Sequence, residues 1–172
     1  LACRLVDILG LRGVLVPRDP GTVSAFGLLT VDVRNDYVRT KVSRADALDL
    51  DATAKAYEEL AAQAAAALDR EGFAPDEQRL VRSADLRYYG QAFEVRVDAP
   101  AGPVDGSFAG TVLAAFHHAH QRLYGYSYRD QPERHPVEWV NLRVSGIGPI
   151  TRPALVAADR GDGRLDRALI GT

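Results

Sequence analysis

The stretch "RSADLRYYGQAFEVRV" at residues 82–97 constrains the fold more than any other part of the sequence. Apolar and charged side chains alternate on both sides of Gly90 and Gln91, as they do in half-buried strands. With these two residues at the centre of a type II′ turn, apolar positions face each other on one side and opposite charges on the other. The sequence therefore predicts a β-hairpin over about residues 81–98.

The charged residues of this hairpin can be explained as structural ion pairs, but a role in binding a ligand is also open. Arg87 faces Glu94 and Asp85 faces Arg96 in the predicted register. Cross-strand pairs of this kind contribute roughly 0.2–1 kcal/mol each, which accounts for the four residues without any reaction. Arg87 and Gln91 lie at the tip, however, where a guanidinium and an amide are available to a ligand or to another domain.

Two long amphipathic helices flank the hairpin in the sequence, over about residues 50–71 and 107–123. The apolar stripe of the first helix comprises Leu50, Ala54, Tyr57, Ala61, Ala64, Ala65 and Leu68. That of the second comprises Phe108, Val112, Ala115, Phe116, Ala119 and Leu123. Gly72 is placed to end the first helix, and its alanines allow a close approach to a sheet. The fold class predicted is α+β, with a mixed or antiparallel sheet that includes the hairpin and is packed by these helices.

The remaining elements follow from shorter patterns. Alternation predicts strands at residues 37–42 and 137–144, with Trp139, Asn141 and Arg143 together on one face of the second strand. A helix closed by Gly10, a short strand at residues 14–17 and a helix at residues 20–31 capped by Asp19 are expected before them. After Pro149 the composition indicates an irregular tail, residues 149–172.

Composition excludes several classes of function. The chain has 172 residues, a net charge of −2 and no apolar run of the roughly 18–20 residues that span a bilayer, so neither nucleic acid nor a membrane is expected as a partner. The single cysteine, Cys3, makes no intramolecular disulfide, which favours the reducing cytoplasm. Without a methionine or a capping residue before its first helix, the chain is expected to be a fragment of a longer protein.

Motifs for metal, phosphate or acyl chemistry are missing from the sequence. His117, His118 and His120 point in different directions from one helix, so no metal site is predicted. There is no Walker loop, no dinucleotide fingerprint and no Gly-x-Ser-x-Gly elbow. Cys3 lies at an apolar helix end, where an inert packing role is expected rather than a catalytic thiol.

Three stretches resemble the hydantoinase A and 5-oxoprolinase family: "VLVPRDPGTVSAFGLLTVDVRNDYVRT" (14–40), "RSADLRYYGQAFEV" (82–95), and "FHHAHQRLYGY" with "VEWVNLRV" (116–126 and 137–144). The matched positions are Pro20, Ser24, Phe26, Gly27, Asp85, Arg87, Tyr88, Gly90, Gln91, His120, Tyr124, Gly125, Asn141 and Arg143. Among them, Arg87, Gln91 and His120 are the candidates for a catalytic site, and no residue is assigned to a cofactor.

The resemblance implies a domain plan and a reaction. Residues 1–34 would end an actin-like ATPase domain, 35–148 would form the carboxy-terminal α/β domain of hydantoinase A type, and 149–172 the tail. The parent protein would use ATP and Mg²⁺ to open small cyclic amides such as hydantoin or 5-oxoproline, by phosphorylating the amide oxygen.

The same resemblance implies partners and leaves two alternatives. The partners would be the missing amino-terminal ATPase region and a companion hydantoinase B-type subunit, and the fragment alone would be inactive and bind no cofactor. One alternative is a module that only assembles the subunits. The other is part of an ATP-dependent carboxylase similar to acetone carboxylase.

Overall fold

The computed structural model describes residues 2–17 and 19–152. Its helices are α1 (Ala2–Leu9), α2 (Val23–Leu28), α3 (Leu50–Arg70) and α4 (Gly106–Tyr124), and its strands are β1 (Val33–Arg44), β2 (Arg79–Tyr88), β3 (Val95–Asp98) and β4 (Val137–Gly148). One compact unit runs from Asp32 to Pro149, and the residues before Asp32 fall in another. The α+β prediction is confirmed, since the larger unit has a four-stranded antiparallel sheet with two long helices.

The strand order is β1-β4-β2-β3, and the predicted hairpin forms the β2–β3 edge. Ala84 pairs with Val97, Asp85 with Arg96 and Leu86 with Val95, which confirms the predicted register. The predicted turn is wrong. Gln91 N donates to Tyr88 O at 3.0 Å and Gly90 has a φ of +82°, so Tyr89 and Gly90 are the central residues, and Gly90 occupies the position where a type II turn needs glycine.

Helix α3 forms where it was predicted because both ends carry caps. Asp49 accepts a hydrogen bond from Ala52 N at 2.9 Å, and Gly72 follows the helix with a φ of +92°. Its buried residues are Thr53, Ala56, Tyr57, Leu60, Ala64, Ala67 and Leu68. The predicted stripe is therefore rotated: Leu50, Ala54, Ala61 and Ala65 are only partly buried. The helix lies close to the sheet, since a Cβ on Gly146 would come within 3.2 Å of Ala64 Cβ.

Helix α4 is capped by Asp105, which accepts from Phe108 N at 2.9 Å, and it ends at the left-handed Gly125. Its buried residues are Phe108, Val112, Phe116 and His120, an i, i+4 series. Leu123 was predicted in this stripe but is 62% exposed. His120, which was not in the predicted stripe, is the last member of the buried series and has no solvent exposure.

Strand β4 differs from simple alternation at one residue. Asn141 pairs with Asp85 and Trp139 with Leu86, so Val140 is an extra residue in β4 between two consecutive residues of β2. This bulge turns Trp139 to the helix-covered face with Leu142 and Val144, and the prediction that Trp139 shares a face with Asn141 and Arg143 is wrong.

Strand β1 has the predicted period. Its partly buried side chains include Tyr37, Arg39 and Lys41, while Val38 and Val42 are exposed. Arg39 reaches α3, where its Nη1 lies 2.6 Å from Glu59 Oε2. Tyr37, Arg39 and Lys41 thus lie on the more buried side of the strand, and their long side chains supply the packing surface there.

The residues before Asp32 contain less regular structure than predicted. Helix α1 ends at Gly10 as expected, but residues 14–17 form no strand. The predicted helix at residues 20–31 is a 3₁₀ turn (Pro20–Thr22) followed by α2, and the Asp19 side chain makes no capping hydrogen bond. Residues 149–152 are irregular, whereas the rest of the predicted tail and the side chain of Cys3 lie outside the described part.

None of the helices in the described part of the chain is both long and apolar enough to cross a bilayer.

Candidate functional site

A cavity of about 240 Å³ lies between the tip of the hairpin and the end of α4. It is lined by Gln91, Ala92, Phe93, His120, Tyr124 and Tyr126. We call it the tip cavity. Two of the three predicted site residues, Gln91 and His120, meet here, and their nearest side-chain atoms are 3.4 Å apart.

His120 is held in one tautomer by the chain that follows α4. Its Nδ1 lies 2.9 Å from the carbonyl oxygen of Tyr126, and since a carbonyl only accepts, Nδ1 carries the proton. The lone pair of Nε2 then faces the carboxamide of Gln91. The imidazole has no solvent exposure and is packed by the rings of Tyr88, Phe116, Tyr124 and Tyr126. The site therefore presents a fixed hydrogen-bond acceptor beside a carboxamide.

A second series of hydrogen bonds passes through the hydroxyl of Tyr88. The hydroxyl of Tyr88 accepts from Tyr128 N at 2.8 Å, so its own hydrogen is free to be donated to His117 Nδ1, also at 2.8 Å. With the hydroxyl as donor, the proton of His117 is assigned to Nε2. Burial, followed by the positive charge of Arg129, lowers the pKa of His117 below its usual value, against a smaller opposing effect of Asp130.

Stability is expected to fall as pH falls through 6.5, the ordinary value for histidine. A histidine that binds its proton more weakly in the folded state stabilises fully above its unfolded pKa and loses that contribution as pH falls toward the folded pKa. Urea midpoints at pH 7.5 and 5.5 would measure the effect. The change should shrink in His117→Asn, which retains an acceptor for Tyr88, and should persist in His118→Asn, an exposed neighbour. Equal changes in wild type and His117→Asn would contradict this assignment.

Arg87 lies apart from the tip cavity, on the sheet face opposite the helices. Its Nε donates to Glu138 Oε2 at 2.9 Å, and Glu94 lies 3.6 Å from its Nη1. Glu138 is 8% exposed, so the pair is largely withdrawn from water. The structure thus brings Gln91 and His120 together and engages Arg87 in an ion-pair network elsewhere.

Four matched motif residues share that opposite face: Asp85, Arg87, Asn141 and Arg143. Asp85, only 5% exposed, accepts from Arg143 Nε at 2.6 Å, Asn141 Nδ2 at 2.9 Å and Arg96 Nε at 3.1 Å. Burial opposes the ionisation of Asp85, but these hydrogen bonds outweigh it and hold its pKa below the usual value. We call this group the Asp85 network.

Three lining residues of the tip cavity were missed by sequence reasoning. Tyr126 and Phe93 were not selected, and Tyr124 was counted only as a matched position. The available signal was the glycine in "LYGY": Gly125, with a φ of +82°, ends α4 and returns Tyr126 to His120. Phe93 lies at the hairpin tip and is 76% exposed.

The described residues do not fit a nucleotide or its metal. No three His, Cys, Asp or Glu side chains among them come together as ligands for an ion, and the sequence contains no phosphate-binding loop.

Comparison with known proteins gives consistent results. The family profile described as hydantoinase/oxoprolinase C-terminal domain matches residues 41–172. The subunit alpha of caprolactamase from Pseudomonas jessenii is 31% identical over 155 residues, which cover 88% of this chain and 22% of the relative. An uncharacterised protein of Methanocaldococcus jannaschii is 28% identical over 151 residues, covering 88% of this chain and 20% of that protein.

Solved structures show the same fold. The crystal structure of the ATP-dependent caprolactamase from Pseudomonas jessenii superposes with a TM-score of 0.71 at 30% identity, covering 92% of this chain and 23% of that one. A nucleotide-free acetone carboxylase superposes with a TM-score of 0.70 at 24% identity, covering 81% and 21%. The chain therefore spans about a fifth of the length of the relatives it matches.

Proposed function

The chain belongs to the hydantoinase/oxoprolinase family, and from that membership we propose that it is the carboxy-terminal part of an ATP-dependent enzyme that hydrolyses cyclic amides. The observation that carries the proposal is its likeness to caprolactamase subunit alpha along most of its length. The substrates would be small rings such as hydantoin or 5-oxoproline. The 172-residue chain alone would be inactive.

The rest of the proposed organisation follows from the family. Residues 1–34 would complete an actin-like ATPase domain, 35–148 would be the domain described above, and 149–172 a tail. ATP and Mg²⁺ would bind in the amino-terminal region of the parent protein and not to this chain. The word "subunit" in the relative's name supports a companion subunit, which we propose to be of hydantoinase B type. A cytoplasmic location is proposed because the reaction needs ATP.

Within this domain, we assign Gln91 and His120 to a reaction centre completed by the rest of the protein. The support is their meeting in the tip cavity, where a buried imidazole acceptor and a carboxamide face the same space. Arg87 would act less directly, since its guanidinium is already engaged by Glu138 and Glu94.

The test uses the protein extended by its amino-terminal region and produced with the companion subunit. ADP release is followed while hydantoin, 5-oxoproline, or acetone with bicarbonate is supplied. Gln91→Ala should lower kcat/KM about 100-fold, the usual effect of removing one preorganised hydrogen-bond donor, with assembly intact. Gln63→Ala, on the exposed face of α3, is the matched control and should leave both unchanged. ADP release that depends on acetone and bicarbonate would favour a carboxylase, and none with any substrate would contradict the proposal.

A role in assembly is the second candidate, favoured by the aromatic surface around the tip. Tyr89 is 68% exposed, Phe93 76%, Leu123 62% and Tyr124 50%, and exposed apolar groups of this kind often mark contact surfaces. In the same preparation, Phe93→Ala would then release the companion subunit in size-exclusion chromatography. Loss of assembly in Gln91→Ala would also favour this candidate over a reaction centre.

A further inference from the structure

A second cavity, of about 500 Å³, opens between the end of β1, the middle of α4 and the loop that precedes β4. We call it the His117 cavity. It shares no lining residue with the tip cavity. Tyr88 touches the residues of both, with its ring 4.8 Å from that of His120 and its hydroxyl 2.8 Å from His117 Nδ1. A volume of this size is in the range of small-ligand pockets.

His117 supplies the cavity with a hydrogen-bond donor of fixed direction. The Tyr88 hydroxyl is buried and accepts from Tyr128 N, and His117 Nδ1 lies 2.8 Å from it as an acceptor for its hydrogen, so we assign the imidazole proton to Nε2. Among the described residues, none forms a hydrogen bond with Nε2. The donor is a neutral imidazole. The Tyr88 hydroxyl fixes its orientation, and the backbone N–H of Tyr128 fixes that hydroxyl.

The one arginine among the described residues that line the cavity is already paired, and a carboxylate remains beside it. Arg44 donates to both oxygens of Asp46, from Nε at 3.1 Å and from Nη2 at 2.7 Å, so this pair offers little net charge to an ion. Glu133 lines the cavity and adds acceptor oxygens. The ring of His135 stacks on Tyr128 at 3.7 Å and 14°, which covers one face of the imidazole.

The remaining wall is apolar, formed by side chains that include Leu113, Pro136 and Val137. A ligand that suits such a space is uncharged, has an apolar body, and carries a carbonyl acceptor next to an N–H donor. An amide closed into a small ring has this character, since the ring forces C=O and N–H onto one edge. An open carboxylate does not, because the wall gives it no unpaired cation.

We propose that the His117 cavity binds a small cyclic amide, whose carbonyl oxygen accepts from His117 Nε2 and whose N–H donates to Glu133. The inference rests on the proposed function only for the choice of cyclic amides, and it adds a binding site that is distinct from Gln91 and His120. His117 is assigned as a binding residue, and Tyr88 as the residue that positions it.

The test is a titration of the isotopically labelled 172-residue chain, without ATP, followed by NMR. Caprolactam and hydantoin should give saturable shifts at Leu113, His117 and Val137, and acetate should give none. His117→Asn keeps the acceptor for Tyr88 and removes the Nε2 donor, and it should weaken binding at least tenfold. His118→Asn is the matched control on the exposed side of α4 and should bind as wild type does.

Leu113→Phe enlarges an apolar side chain of the lining and leaves the polar residues unchanged. It should also weaken binding at least tenfold. This second variant keeps the proposal testable if His117→Asn does not fold. Unchanged affinity in both variants, equally tight binding of acetate, or loss of binding in Gln91→Ala alone would overturn the proposal. This measurement involves neither nucleotide nor turnover. A negative result would therefore show that the His117 cavity is not an amide site, and the ATP-dependent activity would still be tested separately by ADP release.

Discussion

Replacing Trp139 by Ala is expected to lower the free energy of unfolding by about 3–5 kcal/mol, the range for deleting a large aromatic side chain from a core. Trp139 is 1% exposed, and its ring stacks on Phe108 with 6.2 Å between centroids. Urea unfolding followed by circular dichroism would measure the loss. Phe93→Ala removes an aromatic ring that is 76% exposed and should change stability by less than about 0.5 kcal/mol.

This comparison tests the bulge as well as the core. Without the extra residue at Val140, Trp139 would share the open face of the sheet with Asn141 and Arg143, and its removal would cost less than about 1 kcal/mol. A small loss in Trp139→Ala would therefore contradict the register of β4. A large loss in Phe93→Ala would instead show that the hairpin tip is packed.

The hairpin register could be predicted from sequence because two independent faces agreed on it. A shift by one residue would have placed Leu86 and Val95 on the charged side, so only one register satisfied both faces. The bounds of α3 and α4 could also be predicted, since Asp49, Asp105 and Gly72 mark ends through local hydrogen bonds and backbone angles. Local signals of this kind need no knowledge of distant partners.

The bulge in β4 could not be predicted, because alternation assumes that every residue advances the strand by one position. Val140 breaks that assumption, and nothing in "VEWVNLRV" distinguishes the bulged residue from its neighbours. The rotation of the α3 stripe and the exposure of Leu123 have a related cause. The buried face of a helix depends on where the sheet lies, and a stripe of many alanines leaves that direction poorly defined.

For the candidate site, motif resemblance selected Gln91 and His120 separately, and their meeting depends on a return of the chain after Gly125. The hydrogen bond between Arg87 and Glu138 joins residues 51 positions apart, so local sequence patterns could not predict it either. The predicted cross-strand partner, Glu94, is present but is the longer of the two contacts, at 3.6 Å. Pairing within the β2–β3 hairpin was predictable, whereas pairing between β2 and β4, which are far apart in sequence, required the strand order.

Asp85→Ala is expected to destabilise the domain by about 2–3 kcal/mol, which is below the range for a fully buried ion pair because Arg96 and Arg143 are partly exposed. The loss arises from Arg143 and Asn141, which keep their desolvation and lose the acceptor that offsets it. Asp85→Asn should be nearly as unstable, since its NH₂ group would meet other donors. Denaturant unfolding at pH 7 measures all three proteins.

Asp98→Ala is the matched control, an exposed aspartate on the neighbouring strand β3, and it should stay within about 0.5 kcal/mol of wild type. These results separate the two roles left open for the charged face of the hairpin. If Asp85→Ala unfolds more readily while the folded fraction keeps its turnover in the complete enzyme, the Asp85 network serves only to hold β2, β3 and β4 in register. Unchanged stability with turnover lost would make Asp85 a reaction residue, and the structural explanation of this face would be wrong.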